Sequence, residues 1–360
     1  MAMPPAQQVQ PAGFRRMTRQ QTFNQPTLTA STFGQLVNFQ LPQTGYLSAI
    51  TLTMQATLTT GAGTPAGTFA TYPALPYALI RKIRIYTSEG VELFNISGFG
   101  LQLYQMFQRY QHSQSVDQVS YLNANGRALL YTTQSGTPAQ STVNQFNAYW
   151  HIPISTDDSM MLGLMLLQSP DIRLNVDITT CNQSDTGNIT GVSVTPSFTF
   201  QVGVESYTVP DDSQSQPNRR FVKLVQEDLF PFTTNGDQIY RPLTGNLYTS
   251  IAGIVENNGA QVSPANINTV ALRFAQSVNV YNEAMQTNIA RTKEHWGYTP
   301  PDGMFRFDMQ LGSGYPHLYD PRDFFNSSQQ TDVAVITNIS GLTPVGAQIR
   351  FIKEQLAMIG

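Results

Sequence analysis

The chain has 360 residues, 41% of them hydrophobic, enough to bury one large core or two of ordinary size. Only 12% are charged, about half the usual share of roughly 25%. A formal charge of −3 argues against a dedicated nucleic-acid binder, and the single cysteine, Cys181, excludes an intrachain disulfide and a cysteine-rich metal site.

The first 25 residues are rich in Gln and Pro and show no sustained period, so they read as an extended arm with Arg15, Arg16 and Arg19 near its end. The N-terminus has no apolar core of a secretory signal. The longest apolar run, residues 160–167, is far short of the roughly 20 that span a bilayer. The expectation is a soluble chain made in a reducing cytoplasm.

Strand patterns begin at residues 36–41. Residues 50–59, ITLTMQATLT, alternate apolar and polar side chains with a period of two, the mark of a half-buried strand. Its polar side carries Thr and Gln and no charge. A Gly/Pro-rich surface loop follows, with no Lys-Ser/Thr pair to suggest a phosphate-binding loop. Next comes a strand over residues 79–87. Ser97 can cap a helix over residues 98–111, with Leu103, Met106, Phe107 and Tyr110 on one face.

After a long polar excursion come AYWHIPI and DDSMMLGLMLLQSP, the latter expected as a short helix whose methionines fill core gaps. Alternating strands follow at residues 172–178 and 197–209. The polar, proline-bounded stretch at residues 210–220 is the best candidate for a domain boundary. Beyond it strands resume, interrupted by a helix expected over residues 283–295.

The two halves echo each other: paired strands, one helix near the middle, an aromatic strand and a final alternating strand. Strand-dense halves of this length suit a jelly roll of about eight strands. The fold class expected is all-β: two tandem jelly rolls with few short helices. The predicted layout is an arm at 1–25, jelly rolls at 26–209 and 220–360, and a linker at 210–219.

The residues offer little chemistry. His112, His151, His295 and His317 have no ligand spacing, and no hydrolase or dinucleotide fingerprint occurs. His151 reads as a packed or hydrogen-bonded histidine. Asp157-Asp158 and Asp211-Asp212 suggest a helix start and a linker. Five Asn-x-Ser/Thr triplets, at Asn95, Asn182, Asn188, Asn326 and Asn338, read as chance matches in a polar chain. The alternative is a carbohydrate-binding or carbohydrate-cleaving β-sandwich, whose cleft tryptophans would have to be Trp150 and Trp296.

Five segments resemble, in order and spacing, the tectivirus-type double jelly-roll major capsid proteins, the lineage that includes adenovirus hexon. They are RKIRIYTSEGVELFNISGFGLQLY, NAYWHIPISTDDSMMLGLMLLQSPDIRLNVDI, VGVESYTVPDD, NIARTKEHWGYTPPDGMFRFDM and TNISGLTPVGAQIRFIKEQL. The resemblance covers roughly residues 30–355. It implies a structural protein and no enzyme, without catalytic residues, cofactor or metal. It further implies a homotrimeric, pseudo-hexagonal capsomer in the virion of an icosahedral, membrane-containing bacteriophage, assembled in the host cytoplasm. The implied partners are itself, neighbouring capsomers, penton and minor capsid proteins. An internal viral membrane would be reached through Arg15, Arg16 and Arg19, and no specific nucleic-acid binding is expected.

Overall fold

The alternation at residues 50–59 forms the middle of a 15-residue strand whose apolar side chains are all buried. The computed structural model describes residues 14, 17–70, 75–108, 137–155, 163–167, 173–211, 217, 221–274, 278–296, 299–309, 325–330 and 332–358.

The first half runs β1 (Gln20–Asn24), β2 (Leu28–Ala30), β3 (Leu36–Gln40), β4 (Tyr46–Thr60), β5 (Ile80–Thr87), β6 (Glu92–Ile96), α1 (Gly98–Gln108), β7 (Val143–Pro153), β8 (Met165–Leu166), β9 (Leu174–Thr180) and β10 (Val194–Tyr207). The second half runs β11 (Phe221–Pro231), β12 (Gly236–Tyr240), β13 (Leu247–Asn257), β14 (Ala260–Gln261), β15 (Ile267–Phe274), β16 (Val278–Ala284), α2 (Met285–Trp296), β17 (Met304–Asp308), β18 (Phe325–Asn326), β19 (Val333–Ile339) and β20 (Gln348–Met358).

The sheets in the first half are β1-β10-β4-β7, with β2 continuing β1 along β10, and β3-β9-β5-β6. In the second half they are β11-β20-β13-β17 and β12-β19-β15-β16. Counting the principal strands of each half in chain order, and taking β1 with β2 as one, both halves read 1-8-3-6 and 2-7-4-5. In both, the helix lies between the fifth and sixth strands. This is the jelly roll, present twice, and the expected all-β fold class holds.

Each jelly roll closes on its own apolar cluster. In the first, Leu52, Met54 and Leu58 of β4 meet Ile83 and Ile85 of β5 and Val176 of β9, with Trp150 buried edge-on to Tyr77. In the second, Ile251 of β13, Phe307 of β17 and Phe351 of β20 meet Val270 and Leu272 of β15 and Val335 of β19. Full burial of each such side chain is worth about 1.5–3 kcal/mol relative to exposure. The Pro-x-Gly turn before β17 requires its glycine: Gly303 has φ +73°, and a Cβ there would lie 2.8 Å from the Val262 carbonyl oxygen.

Of the three expected helices, the two longer ones are present, at Gly98–Gln108 and Met285–Trp296. Ser97 caps α1, its hydroxyl accepting from the Gly100 N–H at 2.9 Å. Two sequence readings are corrected. Gln20–Asn24, taken as part of an arm, form β1 and pair antiparallel with β10, Gln20 opposite Tyr207 and Asn24 opposite Gly203. The stretch expected as a short helix ends in a strand, because Met165 and Leu166 pair with Leu47 and Tyr46 of β4. Its start at Asp157-Asp158 lies outside the described residues, as do Asp212 and most of the expected linker. Leu164, Met165 and Leu167 are buried, as a core-packing role requires.

Candidate functional site: the seam between the jelly rolls

The two jelly rolls share a sheet. β6, the last strand of one sheet of the first half, runs parallel to β11, the first strand of the second half, with Phe94 beside Val225 and Asn95 beside Gln226. Alternation along β20 then decides which side chains face where. Ile349 and Phe351 point into the second core, while Ile352 joins Ala252, Ile254 and Met304 in the apolar cluster of the first jelly roll. The outward face of β11-β20-β13-β17 is therefore packed against the first half, with α1 in the joint.

Charges are buried in this joint, and each has a partner. The Glu354 carboxylate accepts bonds from the Tyr104 hydroxyl of α1 and from Thr249 Oγ1 at 2.8 Å, and Lys223 Nζ lies 3.6 Å away. Burial alone would raise the Glu354 carboxyl. The Lys223 ammonium and the bonds donated by Tyr104 and Thr249 outweigh it, so the group stays ionised below the usual carboxylate range. Lys223, itself fully buried, also donates to the Ser155 carbonyl of the first half at 3.3 Å.

A second group centres on Arg350. Its guanidinium donates to Glu227, and to Glu256 from Nε at 2.9 Å and Nη2 at 3.3 Å, and it stands 5.3 Å above the ring of Phe99 in α1. Burial works against that charge, but Glu227 and Glu256 more than offset it and push the guanidinium above its ordinary value. Glu227 also accepts from the Ser97 hydroxyl at 3.0 Å and from the Ser97 backbone N–H, so one carboxylate joins the helix cap of one jelly roll to the first strand of the other. Behind them Lys353 donates to Asp228, which also receives the Tyr240 hydroxyl; burial and then Asp228 raise that phenol.

These residues form a clamp across the joint. The carboxylates of Glu227, Glu256 and Glu354 are each engaged by buried donors. Sequence reasoning singled out none of them, although a signal exists: β11 and β20 carry Lys223, Glu227, Asp228, Arg350, Lys353 and Glu354 in a chain otherwise poor in charge.

Of the arm residues, Arg15 and Arg16 lie outside the described residues. Arg19 is exposed, its backbone paired with Thr208 just beyond β10. Before it, Phe14 is buried edge-on against Tyr46 and Tyr207, both at 5.6 Å. His151 Nε2 stands 3.5 Å from Glu205 Oε2, the hydrogen-bonded role expected of it. His112 and His317 lie outside the described residues, as does the His295 side chain. Among the described residues, no group of three or more His, Cys, Asp or Glu could hold a metal ion. The five candidate Asn side chains are engaged within the chain, Asn95 with Glu92 and Asn338 with Asp237 among them. Trp150 is fully buried, and the Trp296 side chain lies outside the described residues.

Repeated strand order, a shared sheet and a clamped joint define a double jelly-roll chain. No family model and no curated protein matches the sequence. Solved structures do match. The crystal structure of the major capsid protein of Sulfolobus turreted icosahedral virus matches with a TM-score of 0.67, covering 94% of this chain and 97% of that one at 11% identity. The Faustovirus major capsid protein matches with a TM-score of 0.61, 95% and 90% coverage and 11% identity. The major capsid protein P2 of bacteriophage PM2 matches with a TM-score of 0.54, 95% and 98% coverage and 10% identity. The chain has the double jelly-roll fold of these major capsid proteins over 94–95% of its length.

Proposed function

We propose that this chain is the major capsid protein of an icosahedral virus, a structural subunit located in the virion shell. The observation that carries the proposal is the seam. Two jelly rolls of identical strand order are joined through a continuous sheet and a buried charge clamp. The solved chains of the same fold are capsid proteins of nearly the same extent.

The finer reading is a homotrimer, whose six jelly rolls give a pseudo-hexagonal outline that tiles a facet beside neighbouring capsomers, penton and minor proteins. Low charge density and uncharged sheet faces support wide self-contacts. We assign the virus to bacterial hosts and give it an internal membrane, on the resemblance to tectivirus-type segments. The arm is then the membrane- or neighbour-facing element: Arg15, Arg16 and Arg19 each contribute on the order of 1 kcal/mol near an anionic surface. This reading assigns no catalytic residue, cofactor or metal, and the acidic balance supports no specific nucleic-acid contact.

The test is the mass of the purified protein by light scattering, joined to electron microscopy of its assemblies. Three chains per particle and shell-like arrays are expected. A persistent folded monomer that binds or cleaves glycans would overturn the reading in favour of a carbohydrate-active sandwich.

A further inference from the structure

An asparagine followed by glycine is chemically exposed, because glycine has no Cβ to shield its backbone nitrogen from the asparagine side chain. The sequence holds three such pairs, Asn125-Gly126, Asn235-Gly236 and Asn258-Gly259, and the first lies outside the described residues. The other two sit in different settings. Asn235 is tied down: its Nδ2 donates to the Leu342 carbonyl at 2.9 Å, and Gly236 opens β12 opposite Ile339. Asn258 is exposed, and its side chain makes no hydrogen bond among the described residues. The Gly259 N–H likewise has no acceptor among them, and nothing stands within 4 Å of where a Gly259 Cβ would be.

The backbone of the Asn258 turn matters more than its exposure. β13 and β14 form a hairpin with Asn257 opposite Ala260, so Asn258 and Gly259 are its two central residues. Both have positive φ, +50° and +66°, which defines a type I′ turn. A type II′ turn has its first central residue near about +60° in φ and −120° in ψ. Asn258 already holds that φ, so rotating the one peptide plane between Asn258 and Gly259 converts the first turn into the second. The rotation brings the Gly259 nitrogen level with the Asn258 Cβ, where a five-membered ring to Cγ can close. That plane is free to turn, since neither the Gly259 N–H nor the Asn258 carbonyl holds a backbone bond among the described residues. The Asn258 N–H, which donates to the Val345 carbonyl at 2.8 Å, lies outside the rotating plane. Asn235 has no such start: among the described non-glycine residues only Ser141 and Asn258 have positive φ.

We propose that Asn258 is a self-modifying site, converting without an enzyme to isoaspartate and aspartate. The Gly259 nitrogen gives its proton to solvent and bonds to Asn258 Cγ. The Cγ–Nδ2 bond breaks, and Nδ2 takes up a proton and leaves as ammonia. Water then opens the cyclic imide at either carbonyl: cleavage at the main-chain carbonyl routes the backbone through Cγ as isoaspartate, and cleavage at Cγ gives aspartate. Water is the only co-reactant, and nothing is oxidised or reduced. The turn gains a negative charge two residues from Glu256, a carboxylate of the clamp, and the isoaspartyl form adds one backbone atom to a two-residue turn. Loop 340–346 is moored there, by Val345 N–H to Asn257 Oδ1 at 2.8 Å, by Asn257 Nδ2 to the Thr343 carbonyl at 3.1 Å and by the Asn258–Val345 bond, so it is the segment the conversion loosens. The site does not depend on the capsid role.

The test holds the full chain in heavy-oxygen water at mildly alkaline pH, folded and, in parallel, in denaturant. Digestion and fragmentation mass spectrometry then locate the heavy oxygen that each converted residue takes up. In denaturant Asn235 and Asn258 should react at similar rates. In the folded protein Asn258 should keep that rate or exceed it, while Asn235 falls behind roughly tenfold, since its tether and its place in the ladder must both break first. An Asn258 rate lower in the folded protein than in denaturant would overturn the proposal, as would equal rates at the two sites in the folded protein. Chromatography of the labelled peptides should show isoaspartate and aspartate together at residue 258. Aspartate alone would mean direct hydrolysis of the side-chain amide and would sink the ring. Asn258→Gln, whose ring would have six members, should take up no label at that position, and label there would count equally against ring closure.

Discussion

The hydroxyl of Tyr104, on the helix of the first jelly roll, donates to the carboxylate of Glu354, on the last strand of the second, and both groups are buried. Removing it leaves Thr249 and Lys223 as the partners of that carboxylate. Tyr104→Phe is therefore expected to cost about 1–3 kcal/mol, the penalty for losing one donor to a buried charge. Denaturant unfolding at one fixed protein concentration measures it. An unchanged midpoint would mean that the bond contributes nothing.

Glu354 also sets a pH dependence. Its carboxyl is held below its ordinary value in the folded state, so the unfolded chain takes up the proton first as pH falls. Its contribution is fully present above the unfolded pKa, near 4.5, and is lost as pH drops from there through the folded value. The stability gap between wild type and Glu354→Gln should thus narrow steadily below about pH 5, where the unfolded carboxylate begins to protonate. A gap constant from pH 7 to 3 would show that the group titrates alike in both states.

Arg350 should behave as one unit with its carboxylates. Arg350→Met strands Glu227 and Glu256 in a dry joint and is expected to cost about 3–5 kcal/mol. Adding Glu227→Gln removes one stranded charge, so the double variant should lose less than the sum of the single losses. A double-mutant cycle reads the coupling, and strict additivity would dissolve the clamp.

Gly100 tests how tightly α1 is held. In an open helix, Gly→Ala gains about 1 kcal/mol. Here a Cβ would stand 2.5 Å from Glu227 Oε2 and 2.9 Å from Ile96 Cγ1, and Glu227 is pinned by Ser97 and Arg350. Gly100→Ala is expected to destabilise by about 1–3 kcal/mol, an overpacking cost. A stabilised variant would show that the joint yields.

The parts of this fold legible in the sequence are those where one face is wet and the other dry. β4 announces itself because Leu52, Met54 and Leu58 alternate with Thr51, Thr53 and Thr57, and α1 because Ser97 and its apolar face share a period. β1 is silent for a physical reason: it lies at a sheet edge, only Phe23 is even half-buried, and backbone bonds to β10 hold it. The seam is hidden for the opposite reason. β20 is buried on both faces, one against its own core and one against α1, so its charges read as the wet side of a strand when they are the inside of a joint.

The arm can be divided by what holds it. Residues up to 13 lie outside the described structure, whereas Phe14 is buried against Tyr46 and Tyr207 and Gln20 opens β1. Deleting residues 2–20 removes Phe14, and emptying its pocket should cost about 3–5 kcal/mol, as aromatic-to-alanine changes in cores do. The charge is tested apart from the fold by replacing Arg15, Arg16 and Arg19 together with Gln, which keeps Phe14 and β1. That variant should fold and self-associate as the wild type does, yet bind vesicles containing anionic lipid more weakly. The three charges account for about 3 kcal/mol per subunit, a loss of roughly a hundredfold in affinity at low salt. Equal binding by wild type and the Gln variant in a vesicle co-sedimentation assay would take the membrane-facing role from these three arginines.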